Sequence, residues 1–219
     1  MYALRLSEDR LAPTARLALP ALTRVLYALA GTIDVTSRGH RASVHPDAAW
    51  HGVEECAVAG GPGGATVLRY ELLSAARRPT PGRSPQGVGV TLLLEHPIAL
   101  DPAQTYLIRC DRVDFAPGGE ALPHGHKGGG IRCLIAGGLE VRVGDRPGRR
   151  LRPGEAWFES GVEPVHAIAS TTEPTSFIRV AILPRAIRGQ SSIVYVDPAH
   201  ASVKPRRYAI YVDEPVEIV

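Results

Sequence analysis

The chain lacks any run of eighteen apolar residues, which excludes a conventional membrane-spanning helix, since a bilayer core requires about that length. Cysteine is scarce: Cys56, Cys110 and Cys133 are odd in number and show no C-x-x-C spacing. Neither a disulfide framework nor a thiolate zinc site is indicated, and a reducing cytoplasm is the expected compartment. An excess of charge is missing as well, because 25 Lys and Arg against 22 Asp and Glu leave only +3 and the arginines are scattered. No basic patch asks for nucleic acid, and no membrane partner is expected. Residues 17–30 are apolar, but Arg24 interrupts them, and Glu8 and Asp9 stand upstream where a leader carries positive charge. They are not read as a targeting segment.

What is present fits a soluble, all-β protein. The 219 residues, 44% apolar and 21% charged, suffice for one domain or two small ones. The 23 glycines and 19 prolines suit short strands joined by tight turns. Residues 1–6 and 105–115 alternate as strands do, and residues 131–143 read as strand, Gly137-Gly138 turn and strand. In the tail, residues 192–196 and 208–212 flank a polar turn rich in Lys and Arg. They are expected to pair with an outer sheet edge, because such runs left exposed invite aggregation.

The two halves also align with one another. Residues 25–35 (VLYALAGTIDV) lie over 131–141 (IRCLIAGGLEV), 47–50 over 154–157, and 65–70 over 176–181. The offset is 106 residues at the first block, 107 at the second and slightly longer at the third. Two copies of one β-barrel unit explain this economically. Residues 75–89, with three prolines, three arginines and no periodicity, read as the linker or an exposed loop, giving domains at 1–89 and 90–219.

Chemistry concentrates in the second copy. His124 and His126, at i and i+2 in an extended segment, share one face of a strand and can hold one ion between them. His166 is the natural third imidazole, completing the facial set that open metal sites use. Glu120, Glu159 and Glu163 are the nearest carboxylates. Glu163, three residues before His166, is the preferred base. Offset back into the first copy, His124 and His126 fall on Ala18 and Pro20, so that copy carries no metal set. His40, His45, His51, His96 and His200 read as surface or hydrogen-bonded residues, Trp50 and Trp157 as matching core residues, and Cys133 as a buried structural thiol.

On these residues the chain resembles the cupin superfamily. The first cupin motif, G, five residues, H-x-H, three or four residues, E, six residues, G, is matched by Gly118, His124, His126 and Gly137. The second is matched loosely by Pro153, Gly154 and His166. The resemblance implies a bicupin: two double-stranded β-helix (jelly-roll) barrels, the first without its metal motif. In the second motif-bearing copy Gly130 stands where the family usually carries a glutamate ligand. Three histidines would leave a divalent ion its full charge and open positions. Fe2+ with a small anionic or chelating substrate and O₂, as in cupin-like dioxygenases, is the leading expectation. Zn2+, Ni2+ or Mn2+ would instead give Lewis-acid chemistry. A non-enzymatic barrel that binds a metabolite or metal is the alternative, and the resemblance implies pairing into homodimers.

Overall fold

Period-two alternation dominates the chain, and strands dominate the fold. The computed structural model describes residues 1–79, 84–202 and 206–218, and among these there are seventeen strands and two short 3-10 turns. No helix among the described residues is long and apolar enough to cross a membrane. The strands group into two units, Met1–Leu100 and Asp101–Val219.

The first unit contains β1 (Tyr2–Leu11), β2 (Arg16–Leu19), β3 (Arg24–Ser37), β4 (His40–Val44), β5 (Ala48–Gly52), β6 (Cys56–Ser74) and β7 (Val88–Ile98). They form one antiparallel sheet in the order β4-β3-β6-β1-β7, with β2 on β6 and β5 on β3. The long strands β3 and β6 shift register between Ala28 and Ala30 and between Gly31 and Ile33. Such irregularities bend a strand, and the bent sheet gathers Leu11, Leu19, Leu26, Ile33, Val58 and Val67 into one core.

The second unit contains β8 (Tyr106–Phe115), β9 (Glu120–His126), β10 (Gly130–Ala136), β11 (Leu139–Val143), β12 (Arg149–Leu151), β13 (Ala156–Glu159), β14 (Val165–Ala169), β15 (Thr175–Pro184), β16 (Ile193–Tyr195) and β17 (Arg206–Val216). Two five-stranded sheets result, β13-β10-β15-β8-β17 and β12-β11-β14-β9-β16. Their inward rows meet in a single core: Val113, Phe115, Leu134 and Trp157 come from the first sheet, and Ala121, Leu139, Val141, Val165 and Ala167 from the second. All three cysteines are buried thiols.

The predicted repeat recurs in the strand pairing. Leu26 sits opposite Trp50 and Arg69, and Arg132 opposite Trp157 and Arg179. The third block is therefore one residue out of register, Arg69 matching Arg179. Gly31 and Gly137, 106 residues apart, have φ of +69° and +71°. A Cβ there would lie 2.1 Å from the Gly64 carbonyl oxygen or 2.4 Å from that of Pro174. Only glycine makes this turn between the two halves of the motif.

The expected boundary at residue 89 needs correction. β7 runs antiparallel along β1, from Tyr2 opposite Ile98 to Leu11 opposite Val88, and so belongs to the first unit. An edge as long as that of β1 requires a partner on its second side, and β17 plays the same part along β8. Residues 75–89 thus connect β6 to β7 rather than one unit to the next; residues 80–83 lie outside the described residues. In the tail, β16 pairs with β9 and β17 with β8, while residues 203–205 of the polar turn lie outside the description.

Candidate functional site

β9 carries His124 and His126 on its inward face, opposite Tyr195 and Ile193 of β16. The rings meet edge to face with centroids 4.9 Å apart. His124 Nδ1 lies 2.7 Å from the Leu122 carbonyl oxygen, so that nitrogen carries the proton. His126 Nε2 lies 3.2 Å from Glu159 Oε2, and its Nδ1 lies 3.4 Å from Arg179 Nη1. Burial pushes the His126 pKa down to about 3; the nearby Arg132 and Arg179 charges act the same way, and Glu159 opposes them. The imidazole is neutral at pH 7. Its single proton sits on Nε2, donated to Glu159, while Nδ1 accepts from Arg179. Both nitrogens are engaged.

Glu159, on β13, faces Gly130 across the sheet. It accepts from Trp157 Nε1 at 2.8 Å and from Arg132 Nη2 at 2.7 Å. Burial alone would raise its pKa, but the Arg132 charge and the hydrogen bonds from His126 and Trp157 hold the carboxyl well below its usual range. Arg179 forks onto Asp111 through Nε and Nη2, the Nε contact being 3.0 Å. The chain of contacts runs Asp111, Arg179, His126, Glu159, Arg132, and its two cations and two anions cancel. Beside it lies a cavity with about 20 Å³ of room for the centre of a water molecule, lined by Arg179, His126, Glu159 and Arg132 and by Val113, Phe115, Phe177 and the exposed Tyr208. That space suits about one water.

The expected three-histidine set does not assemble. On β14, Val165, Ala167 and Ala169 are buried and His166 points the other way, where it pairs with the half-exposed Glu120. A one-residue step turns a strand side chain to the opposite face, and Val165, not His166, lines the cavity. Glu163 is likewise outside, ion-paired with Arg146 at the surface. Among the described residues no group of three or more His, Cys, Asp or Glu is arranged to hold a metal ion. Gly130 explains the absent glutamate: a Cβ there would lie 2.5 Å from the Val180 carbonyl oxygen and 2.8 Å from Ala181 Cα. A divalent ion, iron or any of its alternatives, does not fit these residues. His126 has no nitrogen to give, and two buried guanidiniums face the same space.

Sequence reasoning weighed Glu159 only as one of three carboxylates and missed Arg132, Arg179 and Asp111. The available signal was an arginine inside an apolar strand, as in Ile131-Arg132-Cys133 and Ile178-Arg179-Val180. Arginine is almost never buried unless paired.

The first unit repeats the composition of this centre. Arg69 forks onto Asp9 at 2.6 and 3.0 Å and also reaches Glu71. Arg24, fully buried, lies 3.4 Å from Glu71, donates to the Glu54 carbonyl oxygen at 3.0 Å and contacts Cys56 Sγ at 3.5 Å. Two guanidiniums and two carboxylates again cancel.

Among solved structures the chain is similar to a variant of oxalate decarboxylase from Bacillus subtilis, at 14% identity and TM-score 0.64 over 91% of this chain and 73% of that one. A formate complex of oxalate decarboxylase from Lactobacillus farciminis gives 14% and 0.64 over 91% and 82%. A cupin 2 conserved barrel domain protein from Leptotrichia buccalis gives 13% and 0.50 over 83% and 89%. No protein-family profile and no curated protein matches the sequence. At these identities the likeness is one of fold: the architecture is all-β and of the cupin type.

Proposed function

We propose that the chain is a bicupin whose second barrel binds a small anion without a metal ion. The observation that carries this reading is His126, held neutral with both nitrogens engaged between Glu159 and Arg179. The recurrence of the Leu26, Trp50, Arg69 set as Arg132, Trp157, Arg179 supports two related barrels in one chain. The ligand class follows from the donors around the cavity. The Arg179 to His126 contact, at 3.4 Å, is the longest between side chains of the network, so a small carboxylate entering the cavity can take that guanidinium N–H. The neutral His126 ring and an indole flank it, a setting in which charge-assisted hydrogen bonds are strong. The similar fold of two proteins named for oxalate and the small cavity make formate, the smallest carboxylate, the first probe, with acetate and oxalate as larger comparisons expected to bind more weakly. The oxygenase and Lewis-acid readings require three convergent donors, which these residues do not supply.

Elemental analysis of protein purified without added metal or chelator tests the reading. Substoichiometric metal in both the parent and His124→Ala is expected; near one ion per chain, lost in His124→Ala, overturns it. Calorimetric titration of the parent with the three carboxylates tests the ligand class, and the absence of saturable binding by any of them sinks that part.

A further inference from the structure

We infer that Arg132 supplies, from within the chain, the positive charge that a divalent ion would bring to His126 and Glu159. The second unit then holds a cation site that opens on removal of one guanidinium. The inference rests on the metal-free reading above. Glu159 Oε2 lies 2.7 Å from Arg132 Nη2 and 3.2 Å from His126 Nε2. An ion about 2.1 Å from a nitrogen and an oxygen holds those atoms about 3 Å apart. The imidazole and carboxylate are thus already at a ligand pair's separation, with the His124 ring beside them and the guanidinium where the ion's charge would act. Arg132 is anchored there by Nη1 donating to the Gly130 carbonyl oxygen at 2.6 Å. Gly130 has no room for a side chain. The next inward position along β10 is residue 132, and its guanidinium folds back over the vacant place.

The first unit also pairs a buried guanidinium with an interior carboxylate, from different positions and without histidines. Arg24 matches Gly130 at the 106-residue offset, and its buried guanidinium pairs with Glu71. In each unit an interior carboxylate is matched by a guanidinium, because an unpaired buried charge is strongly destabilising. Without Arg132, Glu159 is left as an uncompensated anion next to two imidazoles. A borderline cation such as Co2+ or Zn2+ can then take the place of the proton between His126 Nε2 and Glu159 Oε2.

The test uses the full chain, chelator-treated, as parent, Arg132→Ala and Arg132→Ala/Glu159→Gln. Co2+ is titrated and followed by its visible absorption and by calorimetric stoichiometry. The expected result is no uptake by the parent, one Co2+ per chain in Arg132→Ala, and loss of that uptake when Glu159→Gln is added. Zn2+ should raise the Tm of Arg132→Ala and leave the parent unchanged. If Arg132→Ala does not fold unaided, it is refolded with Co2+ or with methylguanidinium, and recovery of its near-ultraviolet dichroism supports the inference. A folded variant that binds no Co2+, binding that survives Glu159→Gln, or a variant that neither cation rescues overturns it. Stoichiometric Co2+ in the parent overturns this inference and the metal-free reading together; failure confined to the variant overturns this inference alone.

Discussion

Asp111→Asn is the sharpest probe of the second unit. Asp111 and Arg179 are 1% and 5% exposed, and the guanidinium forks onto the carboxylate. The amide keeps the shape and removes the charge, leaving a buried cation beside the neutral His126. Breaking a buried pair from one end costs about 3–5 kcal/mol, far above the 0.2–1 kcal/mol typical of an exposed pair. For a unit of roughly 120 residues, total stability is about 6–18 kcal/mol, so this is a large share of it. The expected loss of Tm is about 10–20 °C. Urea unfolding followed by Trp157 fluorescence in a Trp50→Phe background isolates the unit, because Trp157 packs against Phe177 at 5.2 Å in its core. The double variant Asp111→Leu/Arg179→Met should recover most of the loss, since apolar replacement of a whole buried pair is often neutral. An Asp111→Asn cost under about 1 kcal/mol, or a double variant worse than the sum of the singles, refutes the reasoning.

Acid should weaken the second unit through His126. Its folded pKa of about 3 lies below the ordinary histidine value of 6.5, so the unfolded chain binds the extra proton between those values. Stability is full above about pH 6.5 and falls toward pH 3 by something on the order of 4 kcal/mol. His126→Gln should flatten the urea midpoint between pH 7 and 5 and leave the steeper loss below the ordinary carboxylate range, where Glu159 takes up its proton. A parent midpoint that is level across that window counts against the assignment. Placing a glutamate by Gly130→Glu where the cupin motif that the chain resembles carries one should destabilise the unit by more than about 2 kcal/mol, since backbone rather than a movable side chain stands in the way; thermal unfolding and a metal assay that found a stable, metal-loaded variant would show the site to be roomier than described. His166→Ala removes only a partly exposed pair and should shift stability by less than about 1 kcal/mol. A change in ligand or metal affinity in that variant would place His166 in the site after all.

The fold was largely legible because its signals are local or repeated. Alternation marked the strands, and Gly31 and Gly137 recur at one offset with one left-handed geometry. The domain boundary was not legible, since the pairing of β7 with β1 joins residues some ninety positions apart and nothing within residues 88–98 names the partner. The charged centre was half legible. Arg69 and Arg179 stand in matching apolar runs, but the acid each one meets differs in place along its strand, Asp9 opposite Val67 and Asp111 opposite Arg179. Only the folded sheet shows that each fork is closed.

The histidine at position 166 was misplaced by the smallest possible error, one step of the pleat. Whether register or charge keeps an ion out can be separated by exchanging the pair, Val165→His with His166→Val. The exchange turns the third imidazole inward beside His124, which sits opposite residue 165, at an overpacking cost of about 1–3 kcal/mol in a cavity sized for one water. Three inward imidazoles would then be present, but His126 would remain tied between Glu159 and Arg179 and the two guanidiniums would stay in place. If charge governs, the exchanged protein takes up no Co2+ until Arg132 is also removed. Uptake by the exchange alone would mean that one residue of strand register, and not Arg132, separates this interior from a metal site.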